Sequence, residues 1–149
     1  MSIKKRLHQQ CLTLIDEKIA SIQKSILSIE ESRNNETKSS AGDKYETGRA
    51  MLHMEEEKSR NQLAKTNEMR LLLQTIELEQ ESEEVALGSL VRCSNGNYFI
   101  SAAMGKVELE GEKYYCISMA SPIGKLLKGK KNQESFSFAN KSIEILEVL

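Results

Sequence analysis

The sequence predicts an α+β chain: an N-terminal antiparallel helical hairpin of coiled-coil type, then a small antiparallel β domain with one short helix. Three observations predict it. Apolar residues recur at helical spacing over the first half, the period changes to two past Ala86, and turn residues punctuate the second half. Composition agrees, since 39% of the 149 residues are hydrophobic and 29% charged. That balance suits solvent-washed helices with a thin apolar seam, beside one small core.

From about Ile3 to Glu31, the residues His8, Leu12, Ile15, Ile19, Ile22, Ile26 and Ile29 recur in alternating steps of four and three. This is the seven-residue repeat of a coiled-coil seam. Leu7, Cys11 and Leu14 widen the stripe near its start, as expected where a helix meets a globular body. Polar residues follow to Lys38, and loss of the pattern ends the helix. The stretch from Ser39 to Gly48 is a polar, glycine-marked break, which places the tip of the hairpin near residues 35–48. A second helical pattern runs from near Asp43 to about Glu84. Leu52, Ser59, Leu63, Thr66, Leu73 and Ile76 lie on or near one face, with Met51, Met54, Met69 and Leu72 beside it as core filler. A lone helix with so poor a seam is marginal in water, so the two arms should pair antiparallel. At about 1.5 Å rise per residue, each arm would be on the order of 45 Å long.

The β domain should occupy residues 88–149. Leu90 to Cys93 and Tyr98 to Ser101 read as strands around a turn at Asn95-Gly96, a strong short-range hairpin signal. Val107 to Glu110 and Tyr114 to Ser118 read as a second pair around Gly111. Between Ser121 and Gly129 the punctuation of a short helix is in place, with Ser121 as N-cap, Pro122 as first helical residue and Gly129 as left-handed stop. Ile123, Leu126 and Leu127 would bury one of its faces. Glu134 to Phe138 and Ser142 to Val148 close the chain as alternating strands joined near Asn140-Lys141.

Several function classes fall away. A formal net charge of −1 gives no whole-molecule case for a nucleic-acid or membrane-surface binder. Cys11, Cys93 and Cys116 are odd in number and far apart, which suits reduced thiols in a cytoplasmic chain better than a disulfide framework or a zinc site. No signal peptide is readable, and no apolar run approaches the roughly 20 residues of a membrane span. There is no phosphate-cradling glycine loop and no nucleophile elbow, and His8 and His53 have no nucleophile beside them. His8 reads as an interface histidine. The chain is expected not to be an enzyme, to hold no cofactor of its own and to act on no small-molecule substrate.

Two features stay open to more than one reading. Asp43 and Glu46 lie one helical turn apart at a helix start, the spacing of a capping box. The same pair on an exposed tip could share a divalent cation with a partner, because Mg²⁺ commonly takes one or two carboxylates plus phosphate oxygens and waters. Lys125, Lys128, Lys130 and Lys131 are either a solvated basic face or a contact for a nucleic-acid backbone.

The segment from Ile117 through Ser121-Pro-Ile-Gly-Lys125 to Lys131 resembles the signature of the C-terminal domain of bacterial Gre transcript-cleavage factors, in which a strand leads into a Ser-Pro-Ile-type helix and a Gly-Lys turn. The closing Ile143 to Val148 fits that family's last strand, and helical hairpin before sheet domain is the family's order. The resemblance implies a hairpin over residues 1–84 and an FKBP-like β domain over residues 88–149. It also implies RNA polymerase as partner, with the hairpin entering the secondary channel. Gly42-Asp-Lys-Tyr-Glu46 matches the family's Gly-Asp-x-x-Glu tip. Asp43 and Glu46 would then help hold the polymerase Mg²⁺ during cleavage of backtracked RNA, with the chemistry performed by the polymerase. Ser121, Pro122 and Ile123 would dock at the channel rim. The tip flank departs from the family: Thr47-Gly-Arg-Ala50 stands where Asn-Ala-Glu-Tyr is usual, and Tyr45 replaces a small residue. Those departures leave two alternatives, a non-cleaving regulator or inhibitor that occupies the same channel, and a coiled-coil adaptor for another protein.

Overall fold

The structure, a computed structural model, describes residues 2–37 and 42–149. A two-helix hairpin precedes a mixed β domain with one short helix, the predicted fold class. Helix α1 is Ile3–Thr37 and helix α2 is Gly42–Gln74. Ser2 opens α1, its hydroxyl accepting from the Lys5 amide at 3.2 Å. The predicted seam is inward: Ile15, Ile22 and Ile26 are buried, and Leu12, Ile19 and Ile29 half-buried. On α2, Thr66 and Leu73 are buried while Leu52, Ser59 and Leu63 are half-buried.

Three expectations about the helices are corrected. Helix α1 continues past Glu31 to Thr37, because ion pairs take over where the apolar pattern stops: Arg33 meets Glu56, and Glu30 meets Arg60. Helix α2 stops at Gln74, well short of Glu84. Continuing it would set Glu77 against Glu81 and Glu79 against Glu83 at the negative end of the helix dipole. The Thr75 hydroxyl instead donates to the Leu72 carbonyl at 2.7 Å. Met51 and Met54 are 60% and 68% exposed, so they fill no core. The inward positions are taken by the stripe through Leu52, Ser59 and Leu63, which turns both methionines outward.

The chain divides into two compact units, residues 14–68 and residues 1–13 with 69–149. In the first, α1 and α2 run antiparallel, and their polar contact centres on Glu56. This carboxylate is buried; it accepts from Arg33 across the helix pair and from Arg60 one turn along its own helix, and Arg60 reaches on to Glu30 at 3.0 Å. The network sits where the sequence offers Glu55-Glu-Glu-Lys-Ser59 and no large apolar side chain.

The second unit is built on a six-stranded sheet with order β3-β4-β2-β1-β6-β5. Its strands are β1 Leu90–Cys93, β2 Gly96–Ile100, β3 Gly105–Leu109, β4 Glu112–Ile117, β5 Ser135–Phe138 and β6 Lys141–Val148. Neighbours pair antiparallel except β2 with β4, which run parallel from Asn97↔Tyr114 to Ile100↔Ile117. That one parallel pair agrees with a mostly antiparallel sheet: the chain leaves β2, crosses by way of β3, and returns beside β2 in the same direction. The β3–β4 and β5–β6 hairpins turn through Glu110-Gly111 and Ala139-Asn140, each with positive φ at both positions, as the twist of paired strands favours. One face of the sheet buries Val91, Cys93, Tyr98, Ile100, Phe136, Ile143 and Ile145 together with Val85 and Leu127. The segment after α2 is fastened by Ile76, which is buried beneath Gly88. At φ +89° only glycine fits easily there, and an added Cβ would lie 2.8 Å from the Ile76 Cγ2.

Candidate functional site

The sequence singles out two places, the start of α2 and the loop entering the short helix. At the first, the backbone of Asp43 lies in the first turn of α2, and Glu46 follows one turn on with an exposed side chain. Residues 38–41 of the predicted tip, the side chain of Asp43 and its capping contacts lie outside the described residues. Among the described residues, no cluster of three or more His, Cys, Asp or Glu side chains is arranged to hold a metal ion.

At the second place, helix α3 is Pro122–Leu127, and its start is built by side-chain chemistry as the sequence anticipates. The Ser121 hydroxyl accepts from the Gly124 amide at 3.0 Å and donates to the Ser118 carbonyl at 2.8 Å. One side chain therefore satisfies an orphan amide of the helix and closes the preceding turn. Gly124 is needed for that turn, because an added Cβ would sit 2.3 Å from the Ser118 carbonyl oxygen and 2.8 Å from the Ser121 Oγ. Pro122 is exposed, and Ile123 is half-buried against the sheet core. Of the three residues expected to dock a partner, Ser121 shapes the loop, Ile123 anchors it and Pro122 faces outward. Leu127 is buried, but Leu126 is 37% exposed, which corrects the expectation that it packs inward.

Beyond α3, Gly129 adopts the left-handed conformation foreseen for it, with φ +76°. Its amide donates to the Val85 carbonyl at 3.0 Å, the Val85 amide donates to the Lys130 carbonyl at 2.8 Å, and Glu84 bridges Lys131. Lys125, Lys128 and Lys131 are exposed and Lys130 is half-buried. Lys125 lies in the last turn of α3, and the other three follow on the turn that the segment after α2 holds in place.

Some polar groups of the same unit were not legible as a set. His8 Nε2 donates to the Leu73 carbonyl at 2.7 Å. That carbonyl belongs to the last turn of α2, so the interface histidine foreseen on the seam also caps a helix end. Cys11 and Cys116 are both fully buried, with their sulfurs 3.6 Å apart. The hydrogen bond from Cys116 holds the Cys11 thiol below its ordinary value against the opposing effect of burial, while donating that bond and burial both push Cys116 up. Cys93 is buried on β1, and desolvation pushes it up to about 11. On β4, the Tyr114 hydroxyl donates to Glu112 at 2.7 Å and, together with Arg92, holds that carboxyl below its ordinary value. Spacing alone reveals only the Glu56–Arg60 pair of the hairpin network, four residues apart on one helix.

No protein-family model matches the chain, and no curated protein matches it. A solved structure of the transcription factor Gfh1 is similar at 22% identity, covering 97% of this chain and 92% of that one, with a TM-score of 0.32.

Proposed function

We propose that this chain is an accessory regulator of RNA polymerase that enters the secondary channel of the enzyme with its helical hairpin. The observation that carries the reading is the Ser118–Lys131 segment. Its residues resemble the Gre signature, and they build a self-capped loop that presents Pro122 outward from a firmly packed β domain. Such a loop suits a docking role, because its conformation is formed before a partner arrives and little is lost in ordering it. The order of hairpin and sheet supports the same reading.

Regulation by occupancy asks least of the tip. A helix pair lodged in the channel would impede whatever else passes there, whether or not a carboxylate reaches the metal. The changed flank, Tyr45 and Thr47 to Ala50, favours this form over a cleavage factor. The cleavage reading is favoured by one specific observation, the Gly42-Asp-Lys-Tyr-Glu46 match with Glu46 exposed at the start of α2. In that reading Asp43 and Glu46 share the polymerase Mg²⁺, and the chain contacts backtracked RNA only indirectly. Both forms leave catalysis to the polymerase.

The test is co-purification with polymerase core, followed by a transcript-cleavage assay on a backtracked complex. Binding with no RNA shortening, and competition against a cleavage-competent factor, is the expected result. Shortening that disappears in an Asp43→Ala, Glu46→Ala double variant would move the assignment to the cleavage form. No binding to core would remove the polymerase reading and leave the adaptor alternative.

A further inference from the structure

Cys11 and Cys116 stand 105 positions apart in sequence, one in the opening turns of α1 and the other near the end of β4. Their sulfurs nevertheless touch at 3.6 Å, each with no exposed surface. A disulfide brings two sulfurs to about 2.05 Å, so a small approach of the two side chains closes the remaining gap. Cys93 is the internal contrast. It is buried on β1, and its hydrogen-bonding surroundings hold no second thiol among the described residues.

We propose that Cys11 and Cys116 form a redox modification site, at which a small hydroperoxide converts the two thiols into one intramolecular disulfide. Cys11 is the attacking sulfur. Its thiolate attacks one peroxide oxygen, the S–O bond forms as the O–O bond breaks, and the departing hydroxide takes up a proton to leave as water. The Cys116 sulfur then attacks the sulfenic sulfur of Cys11, the S–S bond forms as the S–OH bond breaks, and a second water leaves with the Cys116 proton. Two thiols supply two electrons to one peroxide, and a dithiol reductant reverses the change.

Burial sets the order of events and does not forbid them. Both sulfurs are buried at the contact where the start of α1 meets β4. Arg6–Glu110 also joins α1 to the β3–β4 turn, while Lys5–Glu79 and the His8 bond to Leu73 tie α1 to the end of α2 and the segment after it. An opening of that contact uncovers both thiols together, and reclosure returns them to van der Waals distance. Reagent access is therefore slow, while the second step is fast and selective. Once formed, the bond ties α1 to β4 across a long loop and restricts the unfolded chain.

The experiment uses the full chain and does not depend on the polymerase reading. The protein is exposed to hydrogen peroxide, remaining thiols are alkylated in denaturant, and the digest is mapped by mass spectrometry. The dominant product should be a Cys11–Cys116 linked peptide pair that dithiothreitol removes, with Cys93 recovered as the alkylated thiol. The oxidised protein should melt at a higher temperature than the reduced one. A Cys93→Ser variant should form the same bond. A Cys116→Ser variant should stop at a Cys11 sulfenic acid that dimedone traps. Repeating the oxidation in urea should scramble the pairing among the three cysteines, since the fold makes the selection. Oxidation of Cys93 ahead of the pair, or recovery of Cys11 and Cys116 as free thiols after prolonged peroxide, would overturn the proposal.

Discussion

The two compact units of this chain are held by different physics. In the unit of residues 1–13 and 69–149, burial is apolar and dense: Val91, Ile100, Leu127 and Ile145 have no exposed surface, and the helix ends and loops around them are capped by specific hydrogen bonds. In the unit of residues 14–68, the apolar seam thins toward the start of α2, and a buried carboxylate with two arginines takes its place. Apolar burial stabilises in proportion to area and with little regard to direction. An ion-pair network contributes little net stability, yet it penalises any register that would leave Glu56 buried and alone. Such a hairpin is held in one alignment more firmly than its seam alone would hold it, at some expense in stability.

Substitutions that exchange the two kinds of support break this contrast most sharply. Ile145→Ala, in the middle of the sheet core, should lower unfolding free energy by about 2–5 kcal/mol in urea titration, because it leaves a cavity that the surrounding strands fill only partly. That loss should change little with salt. Glu56→Ala should cost less, about 1–3 kcal/mol, because Arg33 and Arg60 keep partial access to water after their partner is gone. It should show as lost helicity by circular dichroism. Glu56→Leu should recover most of that stability, since an apolar residue suits a buried helix position. If Glu56→Leu instead matched Ile145→Ala in cost, the hairpin would depend on its charges as the β domain depends on its core.

Legibility divides along the same line. Period-two alternation and turn residues located the six strands closely, because strand faces and turn dihedrals are local properties. The parallel pairing of β2 with β4 was hidden, since nothing in either strand states which neighbour it will take. For the helices, the heptad from Leu12 to Ile29 was readable and its inward face is as expected. The ends of α1 and α2 were not. One end is extended by ion pairs between residues 23 and 30 positions apart, Arg33 with Glu56 and Glu30 with Arg60, and the other is cut short by a run of like charge. At the candidate site, Ser121, Pro122 and Gly129 announced their backbone roles, whereas Gly124 and the Cys11–Cys116 contact depend on neighbours brought close only by the fold.

A smaller effect sharpens the same comparison within the β-domain unit. Lys4 is buried, and burial lowers its pKa from 10.5, with Glu81 opposing the change. The folded chain binds fewer protons at Lys4 than the unfolded chain does, so this group opposes folding while it is charged. Its penalty is present in full below the depressed folded value and is relieved as pH rises through that value toward 10.5. Lys4→Met should therefore stabilise near neutral pH by less than about 1 kcal/mol after solvent screening. Its advantage over the parent chain should shrink in alkaline buffer. Lys4, whose burial outweighs the attraction of Glu81, carries a penalty here, whereas Glu56, held by two arginines, is expected to be missed when removed.

The functional account is tested most directly by asking where the start of α2 lies when the chain meets its proposed partner. A photo-crosslinking amino acid replaces Glu46, an exposed position, and the protein is irradiated with RNA polymerase core. The account predicts crosslinks confined to the polymerase secondary channel near the catalytic Mg²⁺, lost on competition with a cleavage-competent factor. Crosslinks elsewhere on the polymerase, or none while the same probe on the β domain still reacts, would contradict it.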